Sequence, residues 1–179
     1  MIVKKSVCKG KVIAPPSKSM AHRYLICAAL ADGKSIINNI ALSEDIKATL
    51  ACLNVLGASV EISGDSVLIV GCGRKIQNSG LHHSGKRIFD CNESGSTLRF
   101  FIPLSLLNKN PSSFVGSKIL MSRPLSVYEE ICKNQGIDFL AVDGSIEVQG
   151  LLKSGRFSVP GNISSQFITG LLFALPLLN

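Results

Sequence analysis

Three serine-rich segments open apolar runs of the chain and hold the residues best suited to chemistry. They read PPSKSMAHR from position 15, NESGSTLRF from position 92 and GNISSQFIT from position 161. One serine is enough to cap a helix, because its oxygen accepts a free backbone N–H group at the helix start. Each segment holds at least two serines, so we predict three helix starts whose second serine points to a function beyond capping.

Two of these segments also place cations near the predicted helix start. Lys18 and Arg23 lie in the first segment and Arg99 in the second, while the third has Gln166 at the corresponding place. A cation at a helix N-terminus opposes the helix dipole and costs about 0.3–1 kcal/mol. A bound anion would reverse that penalty and use the free N–H groups. The pattern predicts an anion site, with plain N-capping as the alternative, above all for the second and third segments taken alone.

An internal repeat supplies the elements that would position these segments. The stretch LNVLGASVEISGDSVLIVGCG resembles CKNQGIDFLAVDGSIEVQGLL, so that Gly57 and Gly71 recur 79 positions later as Gly136 and Gly150. Both stretches have the pattern of a helix end, a glycine cap, a strand, a tight turn and a second strand.

The remaining signals extend each copy to a β-α-β-α-β-β unit. A third copy begins at GRFSVPGNISSQF, and the sequence stops after its first helix. The interleaved helices and strands predict an α/β (α+β) fold with buried helices. The helices are predicted at 19–31, 44–56, 95–107 and 124–135, and the short strands near 34–39, 87–91 and 113–117.

Composition limits the classes of partner. The chain has 179 residues, 46% of them hydrophobic, with a net charge of +7 and a pI near 9.2. A basic chain favours anions such as nucleic acid, anionic lipid or phosphorylated metabolites. The basic residues form no long run, so a nucleic-acid-binding module, which predicts steeply salt-dependent binding to any polyanion, is an alternative rather than our expectation.

Cysteine usage and apolar segments indicate a cytoplasmic protein without metal. The six cysteines contain no C-x-x-C pair, which favours reduced thiols over disulfides or zinc. His82 and His83 have no further metal ligands nearby in the sequence, so we expect solvated loop histidines. The apolar segment FITGLLFALPLLN is too short to span a bilayer and contains Pro176. Because the chain stops inside this segment, we expect it to be truncated.

The motifs together resemble a known enzyme family. PPSKSMAHR, ESGSTLR, SRPL and GNISSQF occur in the order and spacing of the N-terminal half of 5-enolpyruvylshikimate-3-phosphate (EPSP) synthases, and the resemblance covers nearly the whole chain. The patterns S-K-S-x-x-x-R and S-S-Q-F are the specific ones. The resemblance implies two globular domains, each built from three such units. Residues 1–13 would be a strand that pairs with the second domain, residues 14–179 the first domain truncated in its third repeat, and the second domain would be absent.

The resemblance also implies a reaction. Family members transfer the enolpyruvyl group of phosphoenolpyruvate to the 5-hydroxyl of shikimate 3-phosphate, releasing phosphate by addition and elimination without a cofactor. This is the 3-phosphoshikimate 1-carboxyvinyltransferase step of the shikimate pathway, which leads to chorismate and the aromatic amino acids. Each substrate carries a carboxylate and a phosphate, so fixed donors and cations must line the site. The ligand would then supply the negative charge that balances the cations at the helix starts.

Site roles follow from the resemblance residue by residue. Lys18 would bridge both substrates and act in catalysis, and Arg99 would have a supporting role. Shikimate 3-phosphate would be bound by Lys18, Ser19, Arg23, Ser164, Ser165 and Gln166. Phosphoenolpyruvate would be bound by Lys18, Gly95, Arg123 and Gln166.

The chain departs from the family pattern at the second helix start. Glu93-Ser94-Gly95-Ser96 stands where many members have Asn-Ala-Gly-Thr, and Phe100 stands where many have proline. The Glu93 carboxylate would lie beside an anion site unless it pairs with an arginine or points away. His22 is expected to be structural, or to support the residues that bind substrate, rather than to act as a base.

The family keeps its acid–base carboxylates and further substrate-binding arginines on the second domain. The aspartates of this chain fit caps or turns, so we expect the substrate-binding half of an enzyme, inactive alone. Two further alternatives stay open. A UDP-N-acetylglucosamine enolpyruvyl transferase relative would share the fold but lacks the S-K-S-x-x-x-R pattern. A non-enzymatic phosphometabolite-binding domain would bind ligand without needing a second half.

Overall fold

The computed structural model describes residues 7, 9–77, 85–142 and 144–178. Its helices are α1 (Lys18–Leu30), α2 (Glu44–Leu56), α3 (Gly95–Ser105), α4 (Lys118–Met121), α5 (Ser126–Gln135) and α6 (Ser165–Ala174). Its strands are β1 (Asp32–Ile37), β2 (Ser59–Ser63), β3 (Ser66–Cys72), β4 (Arg87–Asp90), β5 (Ser112–Val115), β6 (Asp138–Val142) and β7 (Ser145–Gln149). Short 3-10 turns follow β3 at Gly73–Gln77 and α6 at Leu175–Leu177.

The strands form two sheets. The first has the order β1-β3-β2, and β3 runs antiparallel to both neighbours, with Asp32 opposite Cys72. The second has the order β4-β5-β7-β6. In it β4 and β5 are parallel, with Arg87 opposite Ser112, whereas the pairs β5–β7 and β6–β7 are antiparallel. The mixed α/β class predicted from the sequence is confirmed.

Local sequence signals predicted the ends of most helices and strands to within about three residues of their ends in the structure. Ser43 caps α2, and Gly57 and Gly136 end α2 and α5 in the left-handed conformation that favours glycine, with φ of 112° and 68°. The hairpins β2–β3 and β6–β7 occupy the two repeated stretches. The short helix α4 was not predicted, and the described residues between 151 and 163 contain no strand.

The helices form the interior of the fold. On α3 the side chains of Phe100, Phe101, Ile102 and Leu104 are completely buried, as are Leu25 and Ile26 on α1. A helix that is apolar on nearly all sides must be enclosed by other elements. The start of α3 is therefore held in place by its neighbours, which fixes the geometry of the second serine-rich segment.

A proline inside α3 creates a contact with α5 and α6. Pro103 has no N–H group, so it cannot donate to the carbonyl of Arg99 one turn earlier. That carbonyl instead accepts the hydroxyl of Tyr128 on α5, at 2.6 Å. The same hydroxyl lies 3.3 Å from the carbonyl of Phe167 on α6. A Cβ at Gly170 would lie 2.4 Å from the Tyr128 oxygen, so glycine is needed for this close approach.

No described helix is long and apolar enough to cross a membrane. Cys27, Cys52, Cys72, Cys91 and Cys132 are free thiols. Cys8, His82, His83 and most of the predicted strand at 1–13 lie outside the described residues, so those predictions stay predictions.

Candidate anion-binding site

All three serine-rich segments begin a helix, and one serine caps each. The side-chain oxygens of Ser17, Ser94 and Ser164 accept backbone N–H groups at the starts of α1, α3 and α6, at 3.2–3.3 Å. In each segment a second serine lies inside the first turn and is not used for capping: these are Ser19, Ser96 and Ser165. The capping prediction and the surplus of hydroxyls are therefore both seen in the structure.

Arg23 is held between α1, α3 and α6. Its Nη1 donates to the backbone oxygen of Ser19 at 2.8 Å and to the Ser19 Oγ at 2.7 Å. Its Nη2 lies 3.4 Å from Thr169 Oγ1 on α6. The guanidinium lies over the buried ring of Phe100, 5.5 Å from the ring centre. Because the Ser19 oxygen accepts from Arg23, the Ser19 proton remains available for an anionic ligand.

Lys18 pairs with a carboxylate whose role the sequence did not reveal. Its Nζ lies 2.6 Å from Asp45 Oδ2, and the Lys18 side chain is 58% exposed. Asp45 lies in the first turn of α2, as predicted from its place after the cap Ser43, and it also faces α1. An exposed pair of this kind adds little stability. The ion pair places the Lys18 ammonium group at the N-terminal end of α1.

Two arginines converge on the start of α3. A Cβ built on buried Gly95 would lie 2.6 Å from Arg123 Nη1 and 3.0 Å from Arg99 Nη1. Neither arginine has a carboxylate within 4.0 Å in the part of the chain that the structure describes. Burial, and then the charge of Arg123, lower the pKa of Arg99. Two guanidinium groups therefore meet here, and no carboxylate group of the described residues balances their charge.

Glu93 does not neutralise this pair. It is exposed and forms no ion pair with Arg99 or Arg123 among the described residues. Of the possibilities that the sequence left open, the structure therefore favours a Glu93 side chain that points away, and within the described residues neither arginine forms an ion pair. The carboxylate next to the helix start does not occupy the place of an anionic ligand.

Gln166 joins the second and third helix starts. Its Oε1 accepts from Arg99 Nη1 and its Nε2 donates to Ser96 Oγ, both at 2.8 Å. The Arg99 guanidinium also lies over the ring of Phe167, 5.2 Å from the ring centre. The first turns of α3 and α6 are thus linked through Arg99 and Gln166, which the resemblance assigned to the site, and through Ser96, which it did not. Ser164 and Ser165 lie at this same helix start.

His22 is buried below the site and cannot serve as a base there. It is 1% exposed, and its Nδ1 lies 2.7 Å from Thr49 Oγ1. Its Nε2 has no hydrogen-bond partner among the described residues. Burial, reinforced by Lys18 and Arg23 and opposed by Asp45, lowers the pKa of His22 to about 4. The imidazole is neutral at physiological pH, in agreement with the structural role predicted for it.

This buried imidazole predicts a pH dependence of stability. The pKa of His22 rises from about 4 in the fold to about 6.5 on unfolding. Between these values the unfolded chain binds a proton that the folded chain does not bind, so the folded state loses stability as the pH falls. We expect this residue to lower the free energy of unfolding by up to about 3 kcal/mol from pH 7 to pH 4.

Urea unfolding at pH 7.0, 5.5 and 4.5 measures this effect, with His22→Gln as the comparison. The variant should lose less stability on acidification than the unmodified chain. Equal losses in both proteins would show that His22 titrates normally in the fold.

Comparisons with known proteins agree with the resemblance carried by the motifs. Residues 2–179 match the family model described as EPSP synthase (3-phosphoshikimate 1-carboxyvinyltransferase). A 3-phosphoshikimate 1-carboxyvinyltransferase of Clostridium perfringens is 47% identical over 180 residues, covering 99% of this chain and 41% of that protein. One from Clostridioides difficile is 46% identical, covering 97% of this chain and 41% of the relative. The chain therefore spans about two fifths of the length of these curated relatives.

Solved structures give the same result for the fold. The EPSP synthase from Acinetobacter baumannii superposes with a TM-score of 0.72 at 25% sequence identity. The match covers 92% of this chain and 38% of the solved chain. The arrangement of helices and sheets described above is thus that of part of an EPSP synthase.

Proposed function

Because this chain belongs to the EPSP synthase family, we propose that it holds shikimate 3-phosphate and phosphoenolpyruvate for enolpyruvyl transfer. In that reaction the 5-hydroxyl oxygen of the sugar-like substrate bonds to C2 of phosphoenolpyruvate, and phosphate leaves by elimination. The chain would supply the part of the site that positions both anions. The remainder of a full-length family member would supply the groups that move protons.

One observation carries this proposal: the unbalanced pair Arg99 and Arg123 at the start of α3. Burying or crowding like charges without a counter-ion is unfavourable, and the usual solutions are a carboxylate or a bound anion. The described residues offer no carboxylate there. A phosphate or carboxylate group of a substrate would balance the two guanidinium groups and accept the N–H groups of the helix start.

Shikimate 3-phosphate would lie between α1 and α6. Arg23 reaches from α1 to Thr169, so it faces the third helix start rather than bulk solvent alone. Its fork of N–H donors suits a carboxylate, and Ser19 offers a hydroxyl proton beside it. Ser164 and Ser165 would donate to the phosphate of the same substrate at the start of α6.

Phosphoenolpyruvate would lie at the start of α3. Gly95 leaves the space that Arg123 and Arg99 approach, and Gln166 connects this space to α6. Lys18 would bridge both substrates by exchanging Asp45 for their anionic groups, since its side chain is mostly exposed and such an exposed ion pair is weak. Lys18 would thereby stabilise charge on the substrates during transfer, while Arg99 would support Arg123 and Gln166.

The chain would contribute by positioning and electrostatics. Holding two reactants in a productive geometry can lower a barrier by several kcal/mol. Proton transfer to the enol methylene and from the attacking hydroxyl needs an acid and a base within hydrogen-bond reach. We place these groups on the second domain, with residues 1–13 as the strand that pairs with it and residues 14–179 as first-domain sequence. The cytoplasm, where phosphorylated metabolites are kept, is the proposed location.

A chimeric enzyme tests this function. The matching N-terminal 41% of the Clostridium perfringens relative would be replaced by this chain, and phosphate release would be measured with both substrates. We expect turnover by the chimera and none by the 179-residue chain alone.

A chimera that carries Arg23→Ala serves as the comparison and should be strongly impaired. A folded chimera that binds neither substrate would contradict the proposed function. Multiple turnover by this chain alone would place the acid and base within it.

A further inference from the structure

A chain of buried hydrogen bonds runs beneath the site and connects the first two helix starts. It links His22 on α1, Thr49 on α2, Thr97 on α3 and the cap Ser94. The successive distances are 2.7 Å in each case. All four side chains are at most 1% exposed, so bulk solvent does not reach them.

The direction of the protons in this chain follows from its last link. Thr97 Oγ1 donates to Ser94 Oγ, which also accepts the backbone N–H of Thr97 at 3.2 Å. A hydroxyl has one proton, so Thr97 must accept from Thr49, and Thr49 in turn must accept from His22. His22 is therefore the Nδ1–H tautomer, which leaves the Nε2 lone pair buried and without a partner among the described residues.

The series of hydrogen bonds ends at the residue that caps the start of α3. Ser94 is the cap, Gly95 follows it, and Arg99 lies one turn further along the same helix. The other end is on α1, where His22 adjoins Arg23 and follows Lys18 by one turn.

We propose that Thr49 and Thr97 are positioning residues whose directed hydrogen bonds hold the α3 helix start in register with α1. This register would keep Gly95 and Arg99 on α3 in a fixed position relative to Lys18 and Arg23 on α1. The proposal rests on the proposed function for its effect on substrates. The register itself is a property of the chain without ligand, because it depends only on buried side chains.

A first measurement needs no substitution. The ¹⁵N chemical shifts of the His22 imidazole, assigned apart from those of His82 and His83, distinguish the two neutral tautomers at pH 7. The directed chain requires a protonated Nδ1 and a bare Nε2. A protonated Nε2 would reverse the direction of the chain and overturn the proposal.

A second measurement uses substitutions at Thr97 that interrupt the series of hydrogen bonds. Thr97→Val keeps the shape of the side chain and removes the hydroxyl, whereas Thr97→Ser keeps the hydroxyl. Ser105→Ala is the matched control, because Ser105 is a buried hydroxyl on the same helix that donates to Ile102 O outside the chain. We expect Thr97→Val to shift the backbone amide resonances of Lys18 to Arg23 on α1. Thr97→Ser should restore them and Ser105→Ala should leave them unchanged.

The same variants test the link to substrate. Phosphoenolpyruvate affinity should fall about threefold to tenfold in Thr97→Val, the range for one lost hydrogen bond. Thr49→Val should give a similar loss, and the double variant no larger one, because both break the same chain. Unchanged α1 resonances in a folded Thr97→Val protein would overturn the proposal. If the unmodified chain binds no phosphoenolpyruvate, the proposed function fails, and the tautomer and the α1 resonances still decide the positioning role.

Discussion

Replacing Arg23 with alanine is expected to weaken shikimate 3-phosphate binding by about 1.5–3 kcal/mol, roughly tenfold to a hundredfold. Arg23 bridges Ser19 on α1 and Thr169 on α6, and its guanidinium is supported by the Phe100 ring. Among the described residues, Arg23 is the only side chain that hydrogen-bonds both α1 and α6. The substitution removes this bridge and also a charge-assisted contact to the ligand. Calorimetric titration of both proteins measures the loss.

Arg74→Ala is the matched control for this prediction. Arg74 is exposed on the 3-10 turn after β3 and carries the same charge, so its removal should leave the affinity within about twofold. If the two variants lost equal affinity, the contribution of Arg23 would come from general charge rather than from a site. If Arg23→Ala bound as tightly as the unmodified chain, Arg23 would lie outside the site.

Replacing Gly95 with alanine is expected to weaken phosphoenolpyruvate binding by about tenfold or more, with little change for shikimate 3-phosphate. The new methyl group would lie 2.6 Å from Arg123 Nη1 and 3.0 Å from Arg99 Nη1. Both contacts are with the far ends of flexible side chains, so the arginines can move aside and the fold can persist. Moving them removes charge-assisted contacts from the helix start.

Stability separates this effect from misfolding. Alanine favours a helix over glycine by up to about 1 kcal/mol, so Gly95→Ala should fold at least nearly as stably as the unmodified chain. Gly85→Ala is the control, because a Cβ there would meet no atom of the described residues within 4 Å. Equal phosphoenolpyruvate affinity in Gly95→Ala and the unmodified chain would show that this helix start does not face the ligand.

The sequence predicted those parts of the fold and the site that depend on local signals. Cap serines, left-handed glycines and alternating strands act over a few residues, so Ser94, Gly57 and the repeated hairpins could be recognised from their neighbours alone. The surplus serines and the cations at the helix starts were visible for the same reason. The family resemblance then assigned roles to these positions.

The parts that were missed depend on contacts between distant segments. Asp45 follows a cap serine and gave no sign that it would reach Lys18, 27 positions away. Thr49 and Thr97 sit inside apolar helices, where a threonine is unremarkable until another polar group is found opposite it. Pro103 offered a usable signal, since a proline within a helix frees the carbonyl one turn earlier and predicts a donor such as Tyr128.

Gly95 shows what the structure adds to an expectation that came from the family resemblance. The resemblance implied that glycine makes room for a ligand at the helix start, and this role stays a prediction. In the structure the room around Gly95 is shared with the ends of Arg123 and Arg99. The absence of a Cβ at Gly95 therefore leaves room for the two arginine side chains, and we expect these to bind the ligand.

The most direct test of the central claim is a calorimetric titration of the unmodified chain with shikimate 3-phosphate, compared with shikimate. If the three helix starts form an anion site, binding of shikimate 3-phosphate should be saturable with one site per chain. Shikimate, which lacks the phosphate, should bind at least about tenfold more weakly, because charge-assisted contacts to the phosphate are lost. The absence of saturable binding by the folded chain, or equal affinity for the two compounds, would contradict the account.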